Sequence, residues 1–197
     1  MPDQPTAVPD EAAAATDLTS LAELVAREAR GYLSTVTEVA AGANPEAAIP
    51  LLLLAVSDVL GVGARLGAMV DIVPAERFEP DIGPDADLDP LRAALENVFD
   101  GIDDYSEVVD PLLGAEVEMA NISGDLVLVA GALAQGLRHF EAGQRLEALW
   151  WWQFSYLSTW GERATNVLRA LLSVLGHLRL DVDDDVAAAA EFDALHP

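Results

Sequence analysis

The sequence contains no cysteine and no lysine, and each absence removes a class of chemistry. Without cysteine the chain has no disulfide, no thiolate nucleophile and no cysteine metal ligand. Without lysine it lacks the Gly-Lys-Ser/Thr loop that cradles nucleotide phosphates. It also lacks a Gly-x-Ser-x-Gly nucleophile elbow. Its three histidines (His139, His177 and His196) are scattered, and none is paired with another at metal-ligand spacing.

Positive charge is scarce: ten arginines face 34 acidic residues, which gives a formal net charge of −24. Such a field repels nucleic-acid phosphates and anionic lipid surfaces. We therefore expect neither direct nucleic-acid binding nor membrane binding. The acidic surface matches proteins from a salty cytoplasm, and arginine without lysine equally matches GC-rich coding.

Long uninterrupted apolar runs are also missing. The most apolar stretch, residues 49–70, contains Pro50, Asp58 and Arg65, so it predicts a buried core helix rather than a membrane span. The N-terminus has neither the basic region nor the apolar core of a signal peptide. We expect a cytoplasmic protein.

The remaining pattern predicts an all-α fold, a helical bundle of five to seven helices around a C-terminal helical hairpin. A chain of 197 residues suits one domain. We assign residues 17–197 to a single all-α domain behind a disordered tail at residues 1–16, and we find no strand pattern of useful length. Four predicted helices precede the second arm of the hairpin and cover about residues 18–40, 45–61, 91–102 and 124–141. A short last helix is predicted at about residues 186–195.

The second arm of the hairpin, residues 145–178, contains all four tryptophans. At 100° per residue it carries two adjacent apolar stripes, which indicates a helix buried on more than one side. The first stripe includes Trp150, Phe154, Leu157 and Gly161. The second stripe consists of Leu149, Trp152, Tyr156, Trp160 and Val167. Trp150, Trp152 and Trp160 are expected in the core.

Trp151 lies on the opposite, polar arc of this helix. An exposed aromatic side chain often marks an interface. Trp151 is therefore either a contact for a partner or ligand, or a residue covered by a neighbouring loop. Arg163 follows Trp160 by three residues; it either stacks on that indole or is an ordinary surface arginine.

Two alternating aspartate runs imitate calcium loops. Asp85, Asp87 and Asp89 are followed by Pro90 where such a loop needs glycine, so Asp89 is expected to cap a helix instead. The run over residues 181–185 is followed by Val186 and predicts a solvated acidic segment. We predict no metal site and no cofactor.

Several motifs carry a resemblance to a known family. They are Tyr105-Ser-Glu-Val-Val-Asp-Pro111, the Asp125-Leu126 helix start, Gly136-Leu137, and above all Ala148-Leu-Trp-Trp-Trp-Gln-Phe-Ser-Tyr156 followed by Trp160-Gly161. From about residue 105 to 175 the chain resembles an uncharacterised bacterial family of helical proteins, the domain of unknown function numbered five thousand and sixty-three. The resemblance implies a helical fold and no known activity.

The resemblance also implies residues that this chain lacks. The family pattern has histidines four apart around its Trp-Gly pair, where Thr159 and Arg163 stand here. Its preceding helix carries acidic residues and a tyrosine, of which this chain keeps only Asp125. Histidines facing carboxylates bind metals or move protons. If the family uses that chemistry, this chain is not expected to share it. The family's acidic residue between the first two tryptophans corresponds to Trp151.

These observations favour an uncharacterised, non-enzymatic binding or scaffolding protein that contacts a protein partner or a second copy of itself through Trp151. A second hypothesis is a small-molecule-binding protein or enzyme whose pocket is lined by Trp152, Tyr156, Trp160 and Arg163, with the arginine holding an anionic ligand. A third is a metal-dependent enzyme that uses carboxylates alone: Glu96, Asp100, Asp103 and Asp104.

Overall fold

Six α-helices and one β-hairpin make up the part of the chain that our computed structural model describes, namely residues 9–74, 83, 84 and 86–180, with side chains from residue 17. The elements are α1 (Pro9–Ala40), α2 (Ala48–Gly67), α3 (Asp89–Val98), β1 (Asp104–Val108), β2 (Val117–Asn121), α4 (Ile122–Glu141), α5 (Arg145–Ser155) and α6 (Gly161–Leu180). A π-helical turn (Tyr156–Trp160) joins α5 to α6. The predicted all-α class is confirmed, with a small two-stranded sheet added.

Helix α1 begins well before the predicted start at Leu18. The helix therefore includes residues 9–16, which we had assigned to the disordered tail. This segment is rich in alanine, the strongest helix former, which extends the helix toward the N-terminus. Residues 1–8 lie outside the described part of the chain, as do the predicted acidic run at residues 181–185 and the short helix at residues 186–195.

Helix α2 packs against α1, α5 and α6 and buries nine of its residues. A short 3-10 turn (Pro45–Ala47) precedes it, and Pro50 lies in its first turn, where the backbone N–H has no helical partner to lose. By length and composition alone, the segment Pro45–Gly67 would suffice to cross a membrane, and 39% of its most apolar window is buried inside the structure.

The segment after α3 forms an antiparallel β-hairpin that we did not predict. Asp104 pairs with Asn121, and Val108 pairs with Val117. The face of β1 that is turned toward the helices carries Tyr105 and Glu107, which are polar. The apolar alternation that normally reveals a strand is therefore missing from the sequence.

Side chains just before α3 and α4 cap these helices, and the cap of α3 differs from the prediction. Helix α4 is capped by Asn121, whose side-chain Oδ1 accepts the N–H of Gly124 at 2.7 Å. Asp89 is the first helical residue of α3, and its own N–H is accepted by Asp87 at 3.1 Å. In both cases a side chain just before the helix satisfies an otherwise unpaired N–H group.

Helices α4 and α5 form the predicted antiparallel hairpin, and the helical conformation then continues through the π turn to Leu180. Gly143 makes the turn with φ of +81°, a conformation that favours glycine. The core lies between this hairpin and helices α1, α2 and α6. The Tyr32 hydroxyl on α1 donates to the carbonyl of Leu126 on α4 at 2.8 Å, which joins two layers of the bundle.

Candidate functional site

The second apolar stripe of the tryptophan helix faces the core. Trp152 and Trp160 are completely buried, whereas Phe154 and Leu157 of the first stripe are 53% and 61% exposed. Glycines on neighbouring helices provide the room for the indole rings. A Cβ at Gly63 would lie 2.6 Å from the ring of Trp160. The prediction that both stripes are buried is therefore wrong at Phe154 and Leu157, whereas Gly161 of the first stripe is buried.

The structure gives no support to the pocket predicted beside Trp152, Tyr156, Trp160 and Arg163, because Trp152 and Trp160 are completely buried. The Trp152 indole N–H donates to the carbonyl of Leu133 at 3.2 Å, and that of Trp160 donates to the carbonyl of Trp152 at 3.3 Å. Close packing of these two rings leaves them no contact with solvent. Tyr156 lies half-buried at the edge of another groove, against the ring of Trp160 with 4.8 Å between centroids.

Trp151 is half-buried rather than fully exposed on a polar arc. Its indole N–H donates to the carbonyl of Ala132 on α4 at 2.9 Å, so the ring lies across the α4–α5 hairpin. One side of the ring remains open to a cleft of about 570 Å³. We call this the tryptophan cleft. It is lined by Ala86, Leu88, Leu128, Gly131, Ala132, Ala134, Gln135, Arg138, Trp151, Phe154, Ser155, Ser158 and Thr159.

The polar groups of the tryptophan cleft are already engaged in local hydrogen bonds. The hydroxyls of Ser155 and Ser158 donate to helical carbonyls one turn earlier, at 2.6 Å and 2.8 Å. Arg138 donates to the carbonyl of Gly83 at 2.7 Å and to Gln135 at 2.9 Å. Among the described lining residues, Arg138 is the only ionisable one. The cleft therefore presents aromatic and small apolar surface rather than an acid, a base or a nucleophile.

A second feature is a polar cluster between β1, α4 and α6, which we call the carboxylate cluster. The Arg163 guanidinium lies 2.6 Å from Glu107 and 3.8 Å from Asp125, and both acidic side chains are buried. Asn166 donates to the second carboxylate oxygen of Glu107 at 2.8 Å. The Tyr105 hydroxyl donates to Asp125. These contacts attach the β-hairpin to the helical body.

The sequence profile of a domain of unknown function, DUF5063, matches residues 16–177. The chain belongs to the DUF5063 family. The resemblance drawn from the motifs of residues 105–175 is confirmed, and the match also takes in α1, α2 and α3.

Among solved structures, protein BF1032 from Bacteroides fragilis resembles this DUF5063 domain in fold. The TM-score is 0.61 at 15% sequence identity, over 82% of this chain and 93% of that chain. At this identity the likeness shows the fold alone. No curated protein sequence matches this one.

In this DUF5063 domain, the two positions where the resemblance implied histidines lie in different environments. Thr159 lines the tryptophan cleft, and Arg163 belongs to the carboxylate cluster. The hypothesis that Arg163 holds an anionic ligand is not supported, because its charge is met by two carboxylates of the same chain. Arg163 contacts Glu107 rather than the Trp160 ring that we considered as a stacking partner.

Burial and charge shift the pKa values in the carboxylate cluster. Burial raises the pKa of Asp125, although the Tyr105 hydroxyl and the Arg163 guanidinium each lower it. Burial and the bond to Asp125 raise the pKa of the Tyr105 phenol. Burial lowers the pKa of Arg163, but the carboxylates of Asp125 and Glu107 raise it by more than burial lowers it. The guanidinium therefore stays charged. The cluster is a set of mutually satisfied groups.

The carboxylate-only metal hypothesis has no support in the geometry. Asp103 uses both of its oxygens on Ser123, accepting the N–H at 2.8 Å and the hydroxyl at 2.7 Å. Asp104 begins β1. In the described ranges, no three His, Cys, Asp or Glu side chains come together as a metal site.

Sequence reasoning missed the role of Glu107 and the exposure of Phe154. The signal for Glu107 was its position in the Tyr-Ser-Glu motif, two residues after Tyr105 and therefore on the same face of a strand. Nothing in the sequence alone distinguishes the two apolar stripes. The burial of a side chain in either stripe depends on the residues that pack against it from other helices, such as Gly136 of α4 against Trp152.

Proposed function

We propose that this protein is a non-enzymatic binding protein that holds an apolar group of its partner in the tryptophan cleft. One observation carries the proposal: an open cleft with aromatic walls (Trp151, Phe154) and a floor of small residues (Gly131, Ala132, Ala134) lies on a molecule of net charge −24. Depletion of charge together with exposed aromatic rings is typical of the centre of a binding interface.

The engaged hydroxyls support binding rather than catalysis. Ser155 and Ser158 already donate their protons to the helix backbone, and no histidine or carboxylate lies among the described lining residues to activate them. A hydroxyl nucleophile needs such a base within hydrogen-bond reach. The cleft instead offers shape and apolar surface, which are sufficient for recognition.

A small apolar molecule is the second candidate occupant. The cleft volume of 570 Å³ falls in the range of small-molecule sites, which is roughly 300–1,000 Å³. An apolar group of a partner and a small apolar molecule would contact the same lining residues. The first test therefore measures whether the cleft binds an apolar group.

The test is a titration with the neutral fluorescent probe N-phenyl-1-naphthylamine, in dilute protein at low salt. We expect saturable binding to wild type and binding weakened by about tenfold or more in Thr159→Phe, which fills the cleft. Ser173→Phe adds the same ring at an exposed position of α6 outside the cleft, so it should bind like wild type. Equal binding by all three proteins would contradict the proposal.

A further inference from the structure

The outer edge of β2 carries backbone groups that bond to no other group in the described part of the chain. Val109 donates its N–H to the carbonyl of Glu116 at 3.0 Å, and with the register of the strands this bond fixes which groups face β1. Because ladder bonds alternate along an antiparallel strand, the N–H and C=O groups of Val117 and Met119 point away from β1. We call these groups the β2 edge.

The other edge of the hairpin contacts α6. The carbonyl of Ser106 faces away from β2, and it accepts a hydrogen bond from Arg169 on α6 at 2.8 Å. Unpaired N–H and C=O groups along a strand are a template for a further strand. The β2 edge is therefore the side of the hairpin at which an extended segment can add.

We propose that the β2 edge binds an extended basic segment of another protein, which adds to the hairpin as a third strand. In this mode of recognition, main-chain hydrogen bonds provide affinity and the alternate side chains provide selectivity. The proposal goes beyond the function of the tryptophan cleft, because the hairpin contributes none of the described residues that line that cleft.

The charge of the hairpin selects a basic partner. Residues 103–121 contain six acidic residues and no basic one. Glu107 is paired with Arg163, and Asp103 accepts hydrogen bonds from Ser123. The other four acidic residues form no ion pair within the described ranges: Asp104, Asp110, Glu116 and Glu118. A second copy of the chain would bring like charges together at this edge, whereas a basic segment neutralises them.

The two faces of β2 favour a segment in which basic and apolar residues alternate. Val117 and Met119 lie on the face turned away from the helices, and they are 57% and 69% exposed. Glu118 lies on the opposite face. Side chains of adjacent strands that share a face lie side by side. The added strand is therefore expected to place apolar residues beside Val117 and Met119 and a basic residue beside Glu118.

The test is fluorescence anisotropy of a labelled peptide in which arginine and valine alternate, at about 0.02 M sodium chloride, where charge attraction is weakly screened. We expect saturable binding to wild type. Two further peptides carry N-methyl groups, one on its valines and the other on its arginines. In an antiparallel addition the valine N–H groups face the β2 edge, so the first should bind at least about tenfold more weakly and the second should bind like the parent peptide. A parallel addition exchanges the two results.

A pair of protein variants locates the binding. Glu118→Arg should weaken binding of the parent peptide by about tenfold, because it reverses the charge beside the β2 edge. Glu23→Arg makes the same change at an exposed position of α1, so it should bind within about twofold of wild type. Thr159→Phe, which fills the tryptophan cleft, should also bind the peptide like wild type. Circular dichroism confirms that each variant is folded.

Several results would overturn the proposal. One is the absence of binding at about 1 mM peptide. Equal binding of the two methylated peptides would mean charge attraction without strand addition, and equal weakening by Glu118→Arg and Glu23→Arg would mean attraction to the acidic surface as a whole. A wild-type dimer without peptide, seen by light scattering and absent in Met119→Pro, which lacks the outward N–H, would identify a second copy as the occupant of the edge.

Discussion

Arg163 is held by two buried carboxylates of its own chain, and its side chain is 35% exposed. Glu107 and Asp125 come from β1 and α4, so the arginine neutralises charges that two other elements bring into the interior. Removing one member of such a group leaves an uncompensated charge in a poorly solvated place. The arginine therefore stabilises the fold, although its position in the sequence first suggested a ligand contact.

Arg163→Met should lower the free energy of unfolding by about 2 kcal/mol, less than for a fully buried pair because water screens the exposed part of the guanidinium. Urea unfolding measures the loss. Arg169→Met is the control on the same helix, since Arg169 donates to the backbone carbonyl of Ser106 instead; it should stay within about 0.5 kcal/mol of wild type. A second change, Glu107→Gln, should cost less in Arg163→Met than in wild type. If the stability costs of Arg163→Met and Glu107→Gln were additive, the two side chains would not interact, which would contradict the carboxylate cluster.

Asp125 predicts an unusual pH dependence. Burial raises its pKa in the folded protein above the ordinary value of 3.8, so the folded state binds this proton more tightly than the unfolded chain does. Its contribution to stability is complete below the unfolded pKa and is lost as the pH rises through the folded pKa. Asp125→Asn removes this loss. The stability of the variant relative to wild type should therefore increase between about pH 4 and pH 7.

Urea unfolding of both proteins across this pH range checks the prediction. Comparing the two cancels the repulsion among the surface carboxylates, which acts on both. A difference that is constant with pH, or that shrinks as the pH rises, would show that Asp125 is not held in an environment that disfavours its charge.

At the scale of elements, the sequence predicted the α4–α5 hairpin because apolar residues recur at helical spacing on both sides of Gly143. It could not predict the β-hairpin, since Tyr105 and Glu107 put polar groups on the inward face of β1. It also could not show that Phe154 and Leu157 of the first stripe are exposed. Which side chains are buried depends on glycines of other helices, which are adjacent in space and distant in sequence.

The close approach of α4 and α5 at Gly136 gives a prediction about packing. A Cβ added there would overlap the indole ring of Trp152, so Gly136→Ala should cost about 2 kcal/mol of stability. The matched change Gly176→Ala meets no atom within 4 Å in α6. It should raise stability by about 0.5–1 kcal/mol, because alanine loses less backbone entropy in a helix. Thermal or urea unfolding of both variants measures these changes in stability. Equal changes in the two variants would contradict the packing described here.

At the scale of the whole molecule, charge dominates. With a net charge of −24 on 197 residues, the negative charges of the folded protein repel one another, and salt screens that repulsion. We expect the melting temperature to rise with added sodium chloride, by about 2–4 °C for each kcal/mol of repulsion removed. Calorimetry over a series of sodium chloride concentrations measures the melting temperature. A melting temperature that falls with salt would mean that attractive ion pairs outweigh the repulsion.

Composition and periodicity thus predicted the class of the molecule and its central helical hairpin. The candidate site was predicted only in part, because Trp151 was identified while the cleft beside it depends on small residues of α4. Trp152 and Trp160 were assigned both to the core and to a pocket, and only the core role is observed. The pairing of Arg163 with Glu107 joins residues 56 positions apart, which no local pattern reveals.

The most direct measurement is fluorine NMR of protein labelled with 5-fluorotryptophan, titrated with N-phenyl-1-naphthylamine. The four tryptophans give one resonance each, assigned by single replacement with phenylalanine. If the tryptophan cleft accepts an apolar group, the Trp151 resonance shifts on binding, while those of the buried Trp152 and Trp160 stay in place. A shift confined to Trp152 or Trp160, or no shift at saturation, would contradict the binding function proposed for this face.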